Sequence, residues 1–464
     1  MNKLESNIKH VHFIGIGGIS MSGLAEILHR RGYVVSGSDW MASDITRHLI
    51  NIGIDVKLGN DANYIIDGID LVVYTAAVKP DNPEFAEARR KNINIIDRAK
   101  LLGIIMNDYE YSVAVAGVHG KTTTTTIVSE ILLEAKLDPT ISVGGFMQSI
   151  GSNYRVGNSP YLVMEACEYY DSFLQFYPYV GIILNIDSDH LDYFGTLERL
   201  VNSFRFYAKN IPDNGTLIIY KDTPFFEEVT HGLKCNIITY SANNPDARFW
   251  AKDIQYDSNG LPSFNIMDGK DSIAQISLNL RGNHNINNSL AAAGVAATFG
   301  ISADVMVQGL AKACGAKRRF EHKGIYNEVT IVDDYCHHPT EIKACLAAAI
   351  TGAHKRVICA FQSHTYTRTQ NLLAEFSASF GNADIVLILP VYAAREISTG
   401  PYPNYLAERL AEGIRKNGKE ASFVESFQAA ANWVKENTRP GDLFITMGAG
   451  DVHVLGEGLL SGEL

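Results

Sequence analysis

Val113-Ala114-Val115-Ala116-Gly117-Val118-His119-Gly120-Lys121-Thr122-Thr123 decides how this chain is read. The apolar run at 113–116 is the pattern of a buried strand, and residues 121–135 carry a helical pattern. Between them lies a turn with two glycines, a lysine and a threonine. Such a loop turns backbone N–H groups inward onto an anion, and the helix N-terminus adds partial positive charge. Lys121 reaches outer phosphates, and the Thr122 hydroxyl suits Mg²⁺. Gly117, Val118, His119, Gly120, Lys121, Thr122 and Thr123 are therefore read as the ATP phosphate site. Val115 stands where the longer motif G-x-x-x-x-G-K-[ST] has its first glycine, so this loop is a shortened variant. A bare strand-to-helix turn is the bland alternative.

Working outward, the same alternation of apolar runs and helical patterns continues in both directions. Tyr161-Leu162-Val163-Met164-Glu165 places a carboxylate at the end of a buried strand, where nucleotide sites hold Mg²⁺. The strand Ile182–Ile186 ends in Asp187-Ser188-Asp189-His190-Leu191-Asp192, a costly set to bury without metal or phosphate. On the N-terminal side, strand Val11–Ile14 leads into Gly15-Ile16-Gly17-Gly18-Ile19-Ser20 and a helix from 20 to 31. That is a degraded dinucleotide fingerprint, since Ser20 replaces the last glycine and Asp39 ends the next strand. What survives is a helix N-terminus able to receive a diphosphate. On the C-terminal side, strands at 330–332, 356–359, 385–388 and 443–446 alternate with helices near 340–350, 368–379 and 403–416. The fold expected is α/β in three domains, 1–107 and 319–464 Rossmann-like, and 108–318 a central mononucleotide-binding α/β domain. The turn-rich stretch 218–270 reads as edge strands of the central domain.

Length agrees, because 464 residues exceed one ordinary core. The net charge of −11 argues against a nucleic-acid partner. No long apolar stretch predicts membrane insertion, and the polar N-terminus has no signal-peptide core. Six cysteines, at 167, 235, 314, 336, 345 and 359, show no C-x-x-C spacing, which fits reduced thiols in the cytoplasm. Cys167 and Cys336 read as packed residues rather than nucleophiles.

Further segments complete a pattern: Glu165-Ala166-Cys167-Glu168, Gly282-Asn283-His284-Asn285-Ile286-Asn287-Asn288, Arg318-Arg319-Phe320, Asp333-Asp334-Tyr335-Cys336-His337-His338-Pro339-Thr340-Glu341, Gln362-Ser363-His364-Thr365-Tyr366-Thr367-Arg368 and Met447-Gly448-Ala449-Gly450-Asp451. Together with the two glycine loops and the Asn185–Asp192 segment, in this order, they resemble the Mur ligases, and the 333–341 segment resembles their alanine-adding branch. The resemblance implies ATP-dependent ligation of L-alanine to UDP-N-acetylmuramate through an acyl phosphate, in peptidoglycan synthesis. It implies ATP and Mg²⁺ (or Mn²⁺) as cofactors, and a monomer or weak homodimer.

It further implies that Gly15, Gly17, Gly18, Ser20 and Asp39 hold the UDP-substrate. Thr122, Glu165 and His190 would hold metal, and His284, Asn288 and Arg319 would contact ATP. Lys121, His190, Arg319, His338 and Arg368 would be catalytic, with His338 and Arg368 also meeting substrate. His190 and His338 are the alternatives for the base that takes the amine proton. Adjacent histidines on a strand face opposite ways, so His338 is expected toward substrate and His337 toward the scaffold. Cys167 and Tyr169-Tyr170 depart from the family's more acidic run, and Thr365 stands where some members have arginine. No lysine falls plainly where other members carry a carbamylated one; Arg205 is nearer than Lys209. Arg395-Glu396 is either a cleft pair or a surface ion pair. The rivals are a sister ligase that adds a murein tripeptide, a nicotinamide oxidoreductase built on the Gly15 loop, and a non-catalytic nucleotide-binding regulator.

Overall fold

The structure, a computed structural model, describes residues 4, 7–75, 78, 79, 81–188, 191–394, 396 and 402–464, without the side chains of 191 and 192. The described residues form three sheets. The first has strands β1 (His10–Ile14), β2 (Val34–Asp39), β3 (Asp55–Leu58), β4 (Leu71–Tyr74) and β5 (Asn94–Asp97). Their order is β3-β2-β1-β4-β5, all parallel. The order reverses at β1, and a crevice opens there beyond the strand ends, where ligands of such sheets bind.

The second sheet begins with β6 (Tyr111–Ala116), β7 (Thr140–Met147), β8 (Ser152–Arg155), β9 (Tyr161–Glu165), β10 (Val180–Ile183), β11 (Thr216–Tyr220) and β12 (Asn236–Ser241). These run in the order β12-β11-β10-β6-β9-β7-β8. Here too the first strand in sequence, β6, is central and buried from Ser112 to Ala116. That explains its unbroken apolar run, since a parallel strand covered on both faces has no polar side.

The turn-rich stretch after β12 folds as β13 (Phe249–Tyr256), β14 (Pro262–Asp268) and β15 (Asp271–Ser277), the last two an antiparallel pair. The third sheet comprises β16 (Glu321–Tyr326), β17 (Val329–Asp334), β18 (Val357–Phe361), β19 (Ile385–Ile388), β20 (Glu420–Phe423) and β21 (Leu443–Met447). Its order is β16-β17-β21-β18-β19-β20, with only β16 antiparallel.

The chain packs as two compact units, Met1–Trp250 with Asn288–Leu310, and Ala251–Asn287 with Ala311–Leu464. The first and most of the second sheet thus share one unit and one apolar core, which runs from Ile8 through Phe13 and Phe173 to Cys235. Two expectations shift. The helix expected over 368–379 is two short helices, Tyr366–Asn371 and Leu373–Ser377. The histidines at 337 and 338 are not on a strand. Strand β17 ends at Asp334, and His338 is the N-cap of helix Pro339–Ala349, so alternation across a strand does not set their directions. Among the described residues no helix is long and apolar enough to cross a membrane.

Candidate active site

The phosphate loop leaves β6 through Gly117, whose φ is +137°, and enters its helix through Gly120 at +86°. Both angles lie where side chains are strained, and space is short as well. A Cβ on Gly117 would lie 2.9 Å from Leu184 Cβ, and one on Gly120 would lie 3.0 Å from Asn288 Oδ1. The latter contact places Asn288 beside the loop. Asn185, two residues past the neighbouring strand β10, braces the turn: its Oδ1 accepts from His119 N at 2.9 Å, and its Nδ2 donates to His119 O at 2.9 Å.

Lys121 Nζ lies 2.6 Å from Gly117 O, 3.1 Å from Val118 O, and 2.9 and 3.1 Å from the two Glu168 oxygens. Glu168 is fully buried. Burial works against the charge on Lys121, but the Glu168 carboxylate outweighs it and holds the ammonium above its ordinary range. Thr122 and Thr123 are buried in the first helical turn. Glu165 ends β9 opposite Val115 of β6, and its Oε1 accepts from Gly144 N at 2.5 Å. His119 Nε2 and Asp187 Oδ2 lie 3.6 Å apart. His190, Asp189 and Arg395 fall outside the described residues.

The N-terminal loop lines a cleft of about 640 Å³ with Gly15, Gly17, Gly18, Asp39, Trp40, Asn60, Lys79 and Asp81 on its walls. Its backbone donors are spoken for. Gly15 N and Ile16 N donate to Ser38 O, Gly18 N donates to Gly15 O, and Gly17 N donates to Asp39 Oδ2 at 2.7 Å. Asp39 therefore stiffens the loop from the next strand, as Asn185 does in the second loop. Beneath the cleft, Glu84 is buried between His12 Nε2 at 2.9 Å and Ser38 Oγ at 2.8 Å. That polar pair was invisible in the sequence because its members lie 72 residues apart.

His284, Arg319, His338 and Arg368 belong to the second unit. Arg319 Nη1 is 4.0 Å from Glu341 Oε1, and its guanidinium stands 5.4 Å from the centre of the Tyr335 ring. The pKa of His284 is pushed down to about 4, first by desolvation and then by the Arg319 charge, with Glu341 opposing. The ring keeps solvent contact, which tempers the first cause. Arg319 acts in the same direction, so the imidazole is neutral at pH 7. Arg318, by contrast, is a scaffold residue that donates to Asp333, Gly448 O and Gly450 O. His338 is buried, and its Nδ1 accepts from Thr340 N at 3.3 Å. Arg368 lies in the short helix entered through Thr365, a residue at φ +67°. Cys336 and Cys345 are buried near Asp334, and burial raises the pKa of both thiols, which marks them as packed groups.

Three family descriptions tile this architecture: "Mur ligase family, catalytic domain" over residues 10–110, "Mur ligase middle domain" over 115–296, and "Mur ligase, glutamate ligase domain" over 318–450. The chain is 48% identical to a UDP-N-acetylmuramate–L-alanine ligase of Clostridium novyi, covering 100% of this chain and 99% of that one. The chain belongs to the Mur ligase family. A second alanine ligase, from Acetivibrio thermocellus, is 48% identical over 97% of this Mur ligase and 96% of its own length. Among solved structures, a UDP-N-acetylmuramate-alanine ligase of Thermotoga maritima superposes with a TM-score of 0.80 at 26% identity, covering 98% and 99% of the two chains. A murein peptide ligase of Psychrobacter arcticus shares the fold, with a TM-score of 0.69 at 24% identity over 98% of each chain.

Sequence reasoning left several working residues without a role. Asn185 and Glu168 stood in quoted segments as mere context. Arg98 went unmarked, although an arginine directly after a short strand, at the start of a helix, is a position that faces a strand-end crevice.

Proposed function

We infer that this Mur ligase joins L-alanine to the carboxylate of UDP-N-acetylmuramate, with ATP giving ADP and phosphate. The observation that carries the reading is near-half identity, end to end, to relatives named for that reaction. The phosphate loop supplies the chemistry. A carboxylate rejects an amine because oxide leaves poorly. Transfer of the γ-phosphoryl group makes an acyl phosphate, and the neutral amine of alanine then displaces phosphate. Lys121, with the first-turn N–H groups behind it, offsets charge on the moving phosphoryl group.

Thr122 and Glu165 present hard oxygen donors beside this loop, a set that suits Mg²⁺ or Mn²⁺, with His190 as the third candidate ligand. Such a cation, when bound, neutralises phosphate charge. Neutral His284 and Asn288 suit an adenine edge, and Arg319 a phosphate. With Nδ1 accepting from Thr340, the neutral His338 ring carries its proton on Nε2 and acts as a donor. His190 and His338 stay the two candidates for the base that takes the amine proton. Arg368 is assigned to substrate.

The proposed domains are 1–107 for the UDP-substrate, 108–318 for ATP and 319–464 for the amino acid, in a cytoplasmic monomer or weak homodimer. Phosphate release is measured with ATP, UDP-N-acetylmuramate and L-alanine, glycine, L-serine or a murein tripeptide. Fastest release with alanine is expected. Release with tripeptide and none with alanine overturns the assignment.

A further inference from the structure

The cleft in the first sheet poses a charge problem. Its walls carry one lysine, Lys79, against two aspartates, Asp39 and Asp81. A UDP-sugar acid brings an ionised diphosphate and a carboxylate. The N–H groups of residues 15 to 18 are already bonded, to Ser38 O, Asp39 Oδ2 and Gly15 O. Still open among the described residues are the first-turn N–H groups of Ile19, Ser20 and Met21, the donors a helix start leaves without internal partners.

Arg98 stands at this turn. It is half-buried at the start of helix Arg98–Met106, and its Nη1 donates to Ser20 Oγ at 2.9 Å. Among the described residues no carboxylate lies within ion-pairing distance of it, and the Ser20 hydroxyl is its hydrogen-bond partner. A guanidinium carries five N–H donors in a rigid fork, so most of this one is unused. Its charge is also felt at Cys167, between Glu165 and the Glu168 that binds Lys121. One uncompensated arginine thus sits by the open donors of the first loop and within electrostatic reach of the second.

We propose that Arg98 is a substrate-binding residue: with Ser20 and the first turn of helix Ile19–Arg30, it holds the anionic part of the UDP-substrate on the side that faces the phosphoryl donor. The assignment rests on the reading of that substrate given above. A fork anchored by Ser20 loses little freedom on binding a diphosphate oxygen, and charge-assisted bonds of this kind are the strong ones.

Calorimetry on the full chain tests it, with UDP-N-acetylmuramate, UDP and ATP as separate probes. Arg98→Ala is expected to weaken UDP-N-acetylmuramate and UDP by about tenfold or more, with ATP affinity and Tm nearly unchanged. Arg98→Lys keeps the charge and loses the fork, so it falls between. Ser20→Ala loosens the guanidinium and gives a smaller loss. The salt dependence of UDP binding becomes shallower in Arg98→Ala, which a purely structural arginine would not cause. Affinity within twofold of the unmodified protein, with an unchanged salt slope, overturns the assignment. UDP binding decides this separately from turnover: a chain that releases no phosphate with alanine loses the reaction assigned to it, while the Arg98 comparison on UDP still stands or falls by itself.

Discussion

The two glycine loops begin alike and end with different equipment. Each leaves a strand that runs parallel to both its neighbours, and each is braced by a side chain at or just past the end of an adjacent strand, Asp39 in the first and Asn185 in the second. In the second loop the cation belongs to the loop itself: Lys121 opens the helix and meets a buried carboxylate that fixes it in place. In the first loop no lysine follows the glycines, the brace is an anion, and an arginine reaches the first helical turn from another helix. A loop that holds a ligand unchanged needs enough charge to bind it. A loop that transfers a phosphoryl group needs a fixed charge where negative charge moves, because only stabilisation that grows in the transition state raises the rate. Shared architecture therefore says little about task; the position and rigidity of the cation say most.

The largest expected effect follows from that. Lys121→Ala should lower kcat for alanine-dependent phosphate release by about 10³-fold or more, by analogy with loss of other preorganised charge stabilisers. Binding of the UDP-substrate should hardly change. A loss below tenfold would mean that Lys121 only binds, and the contrast between the loops would collapse.

A smaller pair of substitutions tests the braces. Asn185→Ala removes both bonds to His119 and should raise KM for ATP by about tenfold, with a stability cost of about 1–3 kcal/mol from unpaired backbone groups. Gly17→Ala places a Cβ 2.8 Å from both Asp39 Oδ2 and Thr46 Cγ2, so the first brace must shift. It should raise KM for the UDP-substrate by about tenfold and leave KM for ATP alone. Steady-state kinetics varying one substrate at a time separates the two. If either variant impairs the other loop's ligand as much as its own, the loops are not independent binding devices.

What could be read from the sequence was what local chemistry dictates. Val113–Ala116 and Gly117–Thr122 announce a buried strand and an anion loop because both signals lie within a few residues. The hairpin β14–β15 was less legible, since polar strands of this kind lack the apolar run that marks β6. The histidines 337 and 338 were read with strand alternation, but Pro339 starts a helix there and makes His338 its cap. Two short helices replace one at 366–377, with Leu372 between them out of helical conformation. The Arg98–Ser20 bond joins residues 78 positions apart, and the Glu168–Lys121 pair 47. No periodicity records such pairs; only the sheet order brings them together.

The smallest expected effect concerns how each loop's helix is held. The helix behind Lys121 is buried at every position from Thr122 to Leu132. Helix Ile19–Arg30 is also buried, from Met21 to Leu28, and in addition is tied to β8 through a carboxylate. Gly23 leaves room for the Tyr154 ring, and a Cβ there would lie 3.0 Å from it. Glu26 then accepts from the Tyr154 hydroxyl at 2.5 Å and from Arg30 at 2.7 and 2.9 Å, with His48 Nε2 at 3.1 Å. Burial raises the pKa of Glu26, but the bonds from Tyr154, His48 and Arg30 outweigh it and the net shift is downward. A depressed carboxylate contributes stability that is fully present above its unfolded value of 4.5 and is lost as pH falls through the folded value. Tyr154→Phe should therefore cost about 1–3 kcal/mol at neutral pH, and the Tm gap should narrow below pH 4.5. A Tm gap that stays the same below pH 4.5 would show that the Glu26 carboxylate does not tie this helix to β8.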